Sequence, residues 1–153
     1  MPDLDPAAAE GGVVGYTEGV FDLFHVGHLD LLRAAAGGCD RLVVGVLDDD
    51  LAEAAAGRRP YVPADERRAV VEAVRGVWAV TSVADGDLAA ARRRTGFGVL
   101  FRHGGPVADP AAGAGAPLPG SGYRVVDLPE PRATTSAVLR AALAADLAAT
   151  AET

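Results

Sequence analysis

Gly19-Val20-Phe21-Asp22-Leu23-Phe24-His25-Val26-Gly27-His28 separates a short β-prone run, Val13 to Thr17, from an apolar helix face made by Leu29, Leu31, Leu32 and Ala35. A strand, a glycine-bounded turn and a helix in succession is where an α/β fold carries a phosphate-binding loop. Gly19 and Gly27 permit close approach of backbone to ligand. His25 and His28 flank Gly27, so both imidazoles can face one bound group as the chain turns into the helix. Transfer at phosphorus needs positioned donors and positive charge around a phosphate whose charge rearranges during in-line attack. Imidazoles beside unpaired N-terminal N–H groups of a helix provide this. The plain alternative, two packed or surface histidines, requires either two costly unpaired rings or a coincidence.

Outward from this stretch the alternation continues. Gly37-Gly38 stops the first helix, and Arg41 to Leu47 is a nearly continuous apolar run, the pattern of a strand covered on both faces. Asp48-Asp49-Asp50 opens a short Ala-rich helix that ends near Gly57, with acids where a helix N-terminus favours them. Arg58 to Pro63 is a Pro-bounded loop. Pro63-Ala64-Asp65-Glu66 starts another helix with Val70, Val71 and Val74 as its apolar members. Strands are expected at Val77 to Val83, Val99 to Phe101 and Tyr123 to Leu128, and helices at Asp87 to Arg94 and Thr135 to Ala149. Ala108 to Gly122 is dominated by Ala, Gly and Pro and reads as a mobile surface loop. This order predicts an α/β fold: a single-domain, doubly wound, Rossmann-like parallel sheet of about five strands with helices on both faces. The domain is expected over 13–149, between a flexible start at 1–12 and a tail at 150–153. Ligands of such sheets bind beyond the carboxyl ends of the strands, where the strand order reverses.

Composition narrows the function classes. A chain of 153 residues matches one ordinary domain, and with 50% hydrophobic but only 5% aromatic residues its core must be built from Val, Leu and Ala. Cys39 is the only cysteine, which excludes an internal disulfide or a Cys-rich metal site and suits a reducing compartment. The first residues lack the basic flank and apolar run of a secretory signal, and no stretch is long and apolar enough for a membrane span. The expectation is a cytoplasmic protein with no membrane partner. A net charge of −7 argues against nucleic acid. All 14 basic residues are Arg, for which genome base composition is the plain cause. A phosphate site here must still use Arg, His, backbone N–H groups or metal.

GVFDLFHVGHLDLL resembles the HxGH motif of the nucleotidylyltransferase superfamily, in the extended G-x-FD-x-x-HxGH form of cytidylyltransferases. In length the chain is similar to small bacterial glycerol-3-phosphate cytidylyltransferases. The resemblance implies that His25 and His28 are catalytic and stabilise the α-phosphate of CTP while pyrophosphate leaves. It implies Mg²⁺ as cofactor, held mainly by the triphosphate and not by direct protein ligands, and a homodimer as the assembly. Gly19, Val20, Phe21 and Gly27 fall at the nucleotide. Asp22 matches the motif's Asp at the substrate, with a loop-capping carboxylate as the other reading. Ala64-Asp65-Glu66-Arg67 is similar to the family's Glu-Arg helix opening, which places Arg67 against the acceptor phosphate; a solvated, ion-paired Arg is the alternative. Thr134-Thr135-Ser136 is like the hydroxyl-rich opening of the family's last helix, suited to β- and γ-phosphates, or to plain helix capping.

The chain also departs from the pattern. Pro129-Glu130-Pro131-Arg132-Ala133 stands where the family has R-T-x-G, so Arg132 serves the triphosphate from a shifted position. A family Lys is replaced by Ala or Gly, with Arg58 and Arg59 nearby as substitutes at the substrate. After the fourth strand the chain reads Arg102-His103-Gly104-Gly105-Pro106 instead of an acidic sequence, which puts His103 and Gly104 near the nucleotide. The expected reaction is CMP transfer from CTP to a small phosphate or phosphonate. Adenylyl transfer and a non-catalytic nucleotide-binding module are the alternatives.

Overall fold

The computed structural model describes residues 11–103, 120–129 and 135–151. Most of the expected flexible start and of the 108–122 loop lie outside these residues, as do Gly104, Arg132, Thr134 and the last two positions of the tail.

The described chain runs β1 (Val14–Gly19), α1 (Val26–Ala36), β2 (Arg41–Leu47), α2 (Asp49–Ala56), α3 (Ala64–Glu72), β3 (Val77–Val83), α4 (Leu88–Thr95), β4 (Val99–Arg102), β5 (Arg124–Asp127) and α5 (Ser136–Ala151). The strands form one sheet in the order β3-β2-β1-β4-β5, with every pairing parallel. This is the doubly wound α/β sheet expected from the alternation, and its order reverses between β1 and β4.

Because side chains alternate along a strand, the sheet feeds two cores. Leu42, Val44, Val46, Val99 and Phe101 pack with Leu32 and Ala35 of α1 and Val71 of α3. Val14, Tyr16, Val43, Leu100 and Val125 pack with Ala91 and Phe97 around α4. On the α1 side β1 presents Gly15, where an added Cβ would lie 2.6 Å from both Cys39 Sγ and a carbon of the Phe101 ring. A bare backbone there lets the chain after α1 close onto the strand. Arg41 to Leu47 is buried along its middle, the property its unbroken apolar run implied.

Two helices differ from expectation. In α3, Val70 is 44% exposed while Arg67 is 1% exposed and faces inward with Val71. The inward face is thus Arg67 and Val71, one turn apart, and a charged residue takes a place that hydropathy assigns to an apolar one. In α5 no residue is buried. Ser136, Leu139 and Arg140 are half-buried, and everything after Arg140 is exposed. No helix among the described residues is long and apolar enough to cross a membrane.

Candidate active site

The carboxyl end of β1 meets the sheet reversal, and the chain delays before entering α1. Phe21 and Leu23 adopt φ of 54° and 50°, a left-handed conformation that costs a non-glycine residue about 1–2 kcal/mol. The turn brings the buried Phe21 ring back toward Gly19, where an added Cβ would stand 3.2 Å from it. The glycine therefore makes room for Phe21 first.

His25 is the N-cap of α1, extended at φ −141°, and its Nδ1 accepts the Gly27 N–H at 3.0 Å. Gly27 itself is buried in the first turn. The Nε2 of His25 lies 3.1 Å from Ser136 Oγ. The His28 ring stacks on His25 with centroids 3.9 Å apart, and it meets Phe21 and Phe24 at 5.3 Å each. Its Nδ1 is buried with no hydrogen-bond partner among the described residues. Burial first, then the neighbouring His25, His103 and Arg140, push the His28 pKa down to about 3, against the pull of Asp22. Burial also lowers that of His25. Both rings are therefore neutral near pH 7, acting as hydrogen-bonding dipoles rather than as the positive charge.

That charge comes from arginine. A cleft over the turn is bounded by Gly19, Val20, Phe21, Asp22 and His28, by Ala52 of α2, by Arg58 and Arg59, by His103 at the end of β4, and by Ser136 and Arg140 of α5. Arg58 lies over the Tyr61 ring at 4.4 Å, a cation–π contact that steadies it at the wall. Arg59 turns to the acids of α2, at 3.1 Å from Asp50 and 3.3 Å from Glu53. Arg140 was not singled out in the sequence. It sits one turn after Ser136, so both side chains lie on one helix face, and that spacing was the available signal.

Two residues expected at the substrate are engaged within the protein. Arg67 is buried. Its Nε donates to Val62 O at 2.8 Å, its Nη2 to Asp49 at 2.7 Å and its Nη1 to Val20 O, so the buried guanidinium braces the turn, the 58–62 loop and α2. Asp22 borders the cleft, but its two carboxylate oxygens accept the N–H groups of Val62 and Tyr61, each at 3.0 Å. Its loop-capping role holds the segment that carries Arg58. Thr135 caps α5 by accepting the Val138 N–H at 3.3 Å, and it does not line the cleft. Among the described residues no group of three or more His, Cys, Asp or Glu is placed to hold a metal ion.

The bifunctional protein HldE of Gluconacetobacter diazotrophicus is 37% identical over 143 residues, which are 90% of this chain and 29% of that protein. HldE of Rhodopseudomonas palustris strain BisB18 is 41% identical over 70 residues, 46% of this chain and 14% of that protein. The chain thus spans less than a third of the length of these curated relatives. Among solved structures, the lipopolysaccharide core biosynthesis protein from Thermoplasma volcanium superposes with a TM-score of 0.67 at 21% identity, covering 78% of this chain and 98% of that one, a likeness of fold. The family described as cytidylyltransferase-like matches residues 16–113, and the chain belongs to that family.

Proposed function

We propose that the chain transfers a nucleoside monophosphate from a nucleoside triphosphate, CTP first, to a small phosphate or phosphonate. Family membership supports nucleotidyl transfer. The observation that carries the reading is the stacked His25–His28 pair under a cleft rimmed by Arg58 and Arg140, at the sheet reversal. An anionic oxygen of the acceptor attacks the α-phosphorus, the bond to the α,β-bridging oxygen breaks, and pyrophosphate leaves with that electron pair. The acceptor is already an oxyanion, so no general base is needed. The neutral His28 imidazole, backed by the stacked His25 ring, donates to the α-phosphate oxygens, Arg140 faces the leaving phosphates, and Arg58 holds the acceptor.

The cleft's polar side chains are guanidinium, imidazole and the Ser136 hydroxyl, and its one carboxylate is taken by two backbone N–H groups. This set fits triphosphate oxygens, with Mg²⁺ carried on the triphosphate and neutralising charge there. A second donor, ATP, is favoured by the segment that begins Arg102-His103, which lacks the carboxylates found there in the cytidylyltransferases it resembles. For the proposed homodimer, Val138, Leu143 and Leu147 of α5 offer exposed apolar surface.

The test is incubation with each of the four triphosphates, Mg²⁺ and a panel of small phosphates and phosphonates, reading pyrophosphate and the adduct mass. CMP adducts support the first reading and AMP adducts the second. Binding of triphosphate without turnover on any acceptor would leave a nucleotide-binding module.

A further inference from the structure

Ser136 ends up hydrogen-bonded in both directions. Its hydroxyl donates to the Asp22 carbonyl at 2.8 Å, and a carbonyl has no hydrogen to offer in return. The single hydroxyl hydrogen is thus spent, so the 3.1 Å contact with His25 Nε2 requires the hydrogen to sit on the nitrogen. The other side of the ring gives the same answer independently. His25 Nδ1 accepts the Gly27 N–H at 3.0 Å and must present a lone pair. The hydrogens therefore run in one direction, from Gly27 N–H to His25 Nδ1 and from His25 Nε2–H through Ser136 Oγ–H to the Asp22 carbonyl.

We infer that Ser136 is a positioning residue, which fixes the His25 ring by accepting its Nε2–H and so acts on the reaction through the stack of that ring on His28. The hydroxyl that a hydroxyl-rich helix start would offer to phosphates is engaged here in orienting a histidine. Ser136 also ties the first turn of α5 to the β1–α1 turn through the Asp22 carbonyl. The inference rests on the proposed nucleotidyl transfer for its kinetic consequence but not for its structural one.

The test uses the full chain, ¹⁵N-labelled at histidine, without nucleotide. The wild-type spectrum is expected to show a protonated Nε2 and an unprotonated Nδ1 for His25, with the Nε2–H slow enough in exchange to be seen. Ser136→Ala should lose that N–H signal to solvent exchange and lower kcat about 10-fold, the size of one hydrogen bond. KM for the triphosphate should stay within about twofold, the pattern of a group that acts in the transition state. Ser136→Thr keeps a hydroxyl and should recover both signal and rate. A wild-type His25 protonated on Nδ1 overturns the inference, as does an Ala variant whose KM rises while kcat holds. Absence of turnover in the wild type would sink the functional proposal alone, because the tautomer and exchange measurements remain decisive for Ser136.

Discussion

Arg67 Nη2 lies 2.7 Å from Asp49 Oδ1, joining the middle of α3 to the start of α2 beneath the loop that carries Arg58. Asp49 is partly exposed, so the cost of removing the buried guanidinium lies in the Val62 and Val20 carbonyls left without their donor, about 1–3 kcal/mol each. Arg67→Ala is therefore expected to lose stability on that scale in urea unfolding. At a temperature where it stays folded, its KM for the acceptor should change far less than that of Arg58→Ala. The bond from Arg67, as the leading cause, holds the Asp49 carboxyl below its usual range. Its contribution is complete above the unfolded carboxylate value of about 3.9 and fades as pH falls through the lower folded value. Asp49→Asn should flatten that part of the pH–stability curve.

His28 has the same sign of proton linkage as Asp49, over a higher pH window. Unfolded, it takes a proton below about pH 6.5; folded, it resists protonation until about pH 3. Between these values the unfolded chain binds more protons, so stability falls as pH is lowered through that window. His28→Asn should shrink the fall. The same substitution is expected to reduce turnover by about 10²–10³-fold, the range for loss of a preorganised donor. In the wild type, protonation of His28 contributes no acid limb to the rate between pH 8 and pH 5.

Arg140→Ala should lower kcat/KM for the triphosphate by about 10–100-fold, the loss of a charged hydrogen bond. Thermal midpoints should barely move, since the residue sits on a helix with nothing buried. Arg140→Lys should recover only part of the activity, because an ammonium lacks the planar fork.

Asp22→Asn retains size but leaves one of the two N–H groups at Tyr61 and Val62 without an acceptor. Stability should drop by about 1.5–3 kcal/mol. KM for the acceptor should rise several-fold as Arg58 and Tyr61 loosen together.

The alternation of apolar runs and glycine stops was enough to place every described strand, α2, α4 and α5 to within a residue or two, whereas α1 begins earlier, at Val26, and α3 ends at Glu72, before its expected member Val74. Among the strands, β1 continues to Gly19 where a break after Thr17 was expected. The histidine pair was legible because a turn between strand and helix restricts where its side chains can point. Arg67 was not, because hydropathy assigns a guanidinium to solvent. Only the convergence of two backbone carbonyls and Asp49, from segments far apart in sequence, makes its burial tolerable. Arg140 escaped for a related reason. Its helix alone looks like an Ala-rich surface element, and only the tertiary placement of Ser136 beside His25 turns that face toward the cleft.

Among the described residues, the cations facing the cleft apart from its imidazoles are Arg58, Arg59 and Arg140, and the chain contains no lysine. Ammonium-based sites discharge as they approach about pH 10, whereas guanidinium stays positive beyond about pH 12. An alkaline decline in rate will therefore report on substrate, magnesium or unfolding. Acylating and reductive-methylating reagents directed at lysine have no target in the cleft.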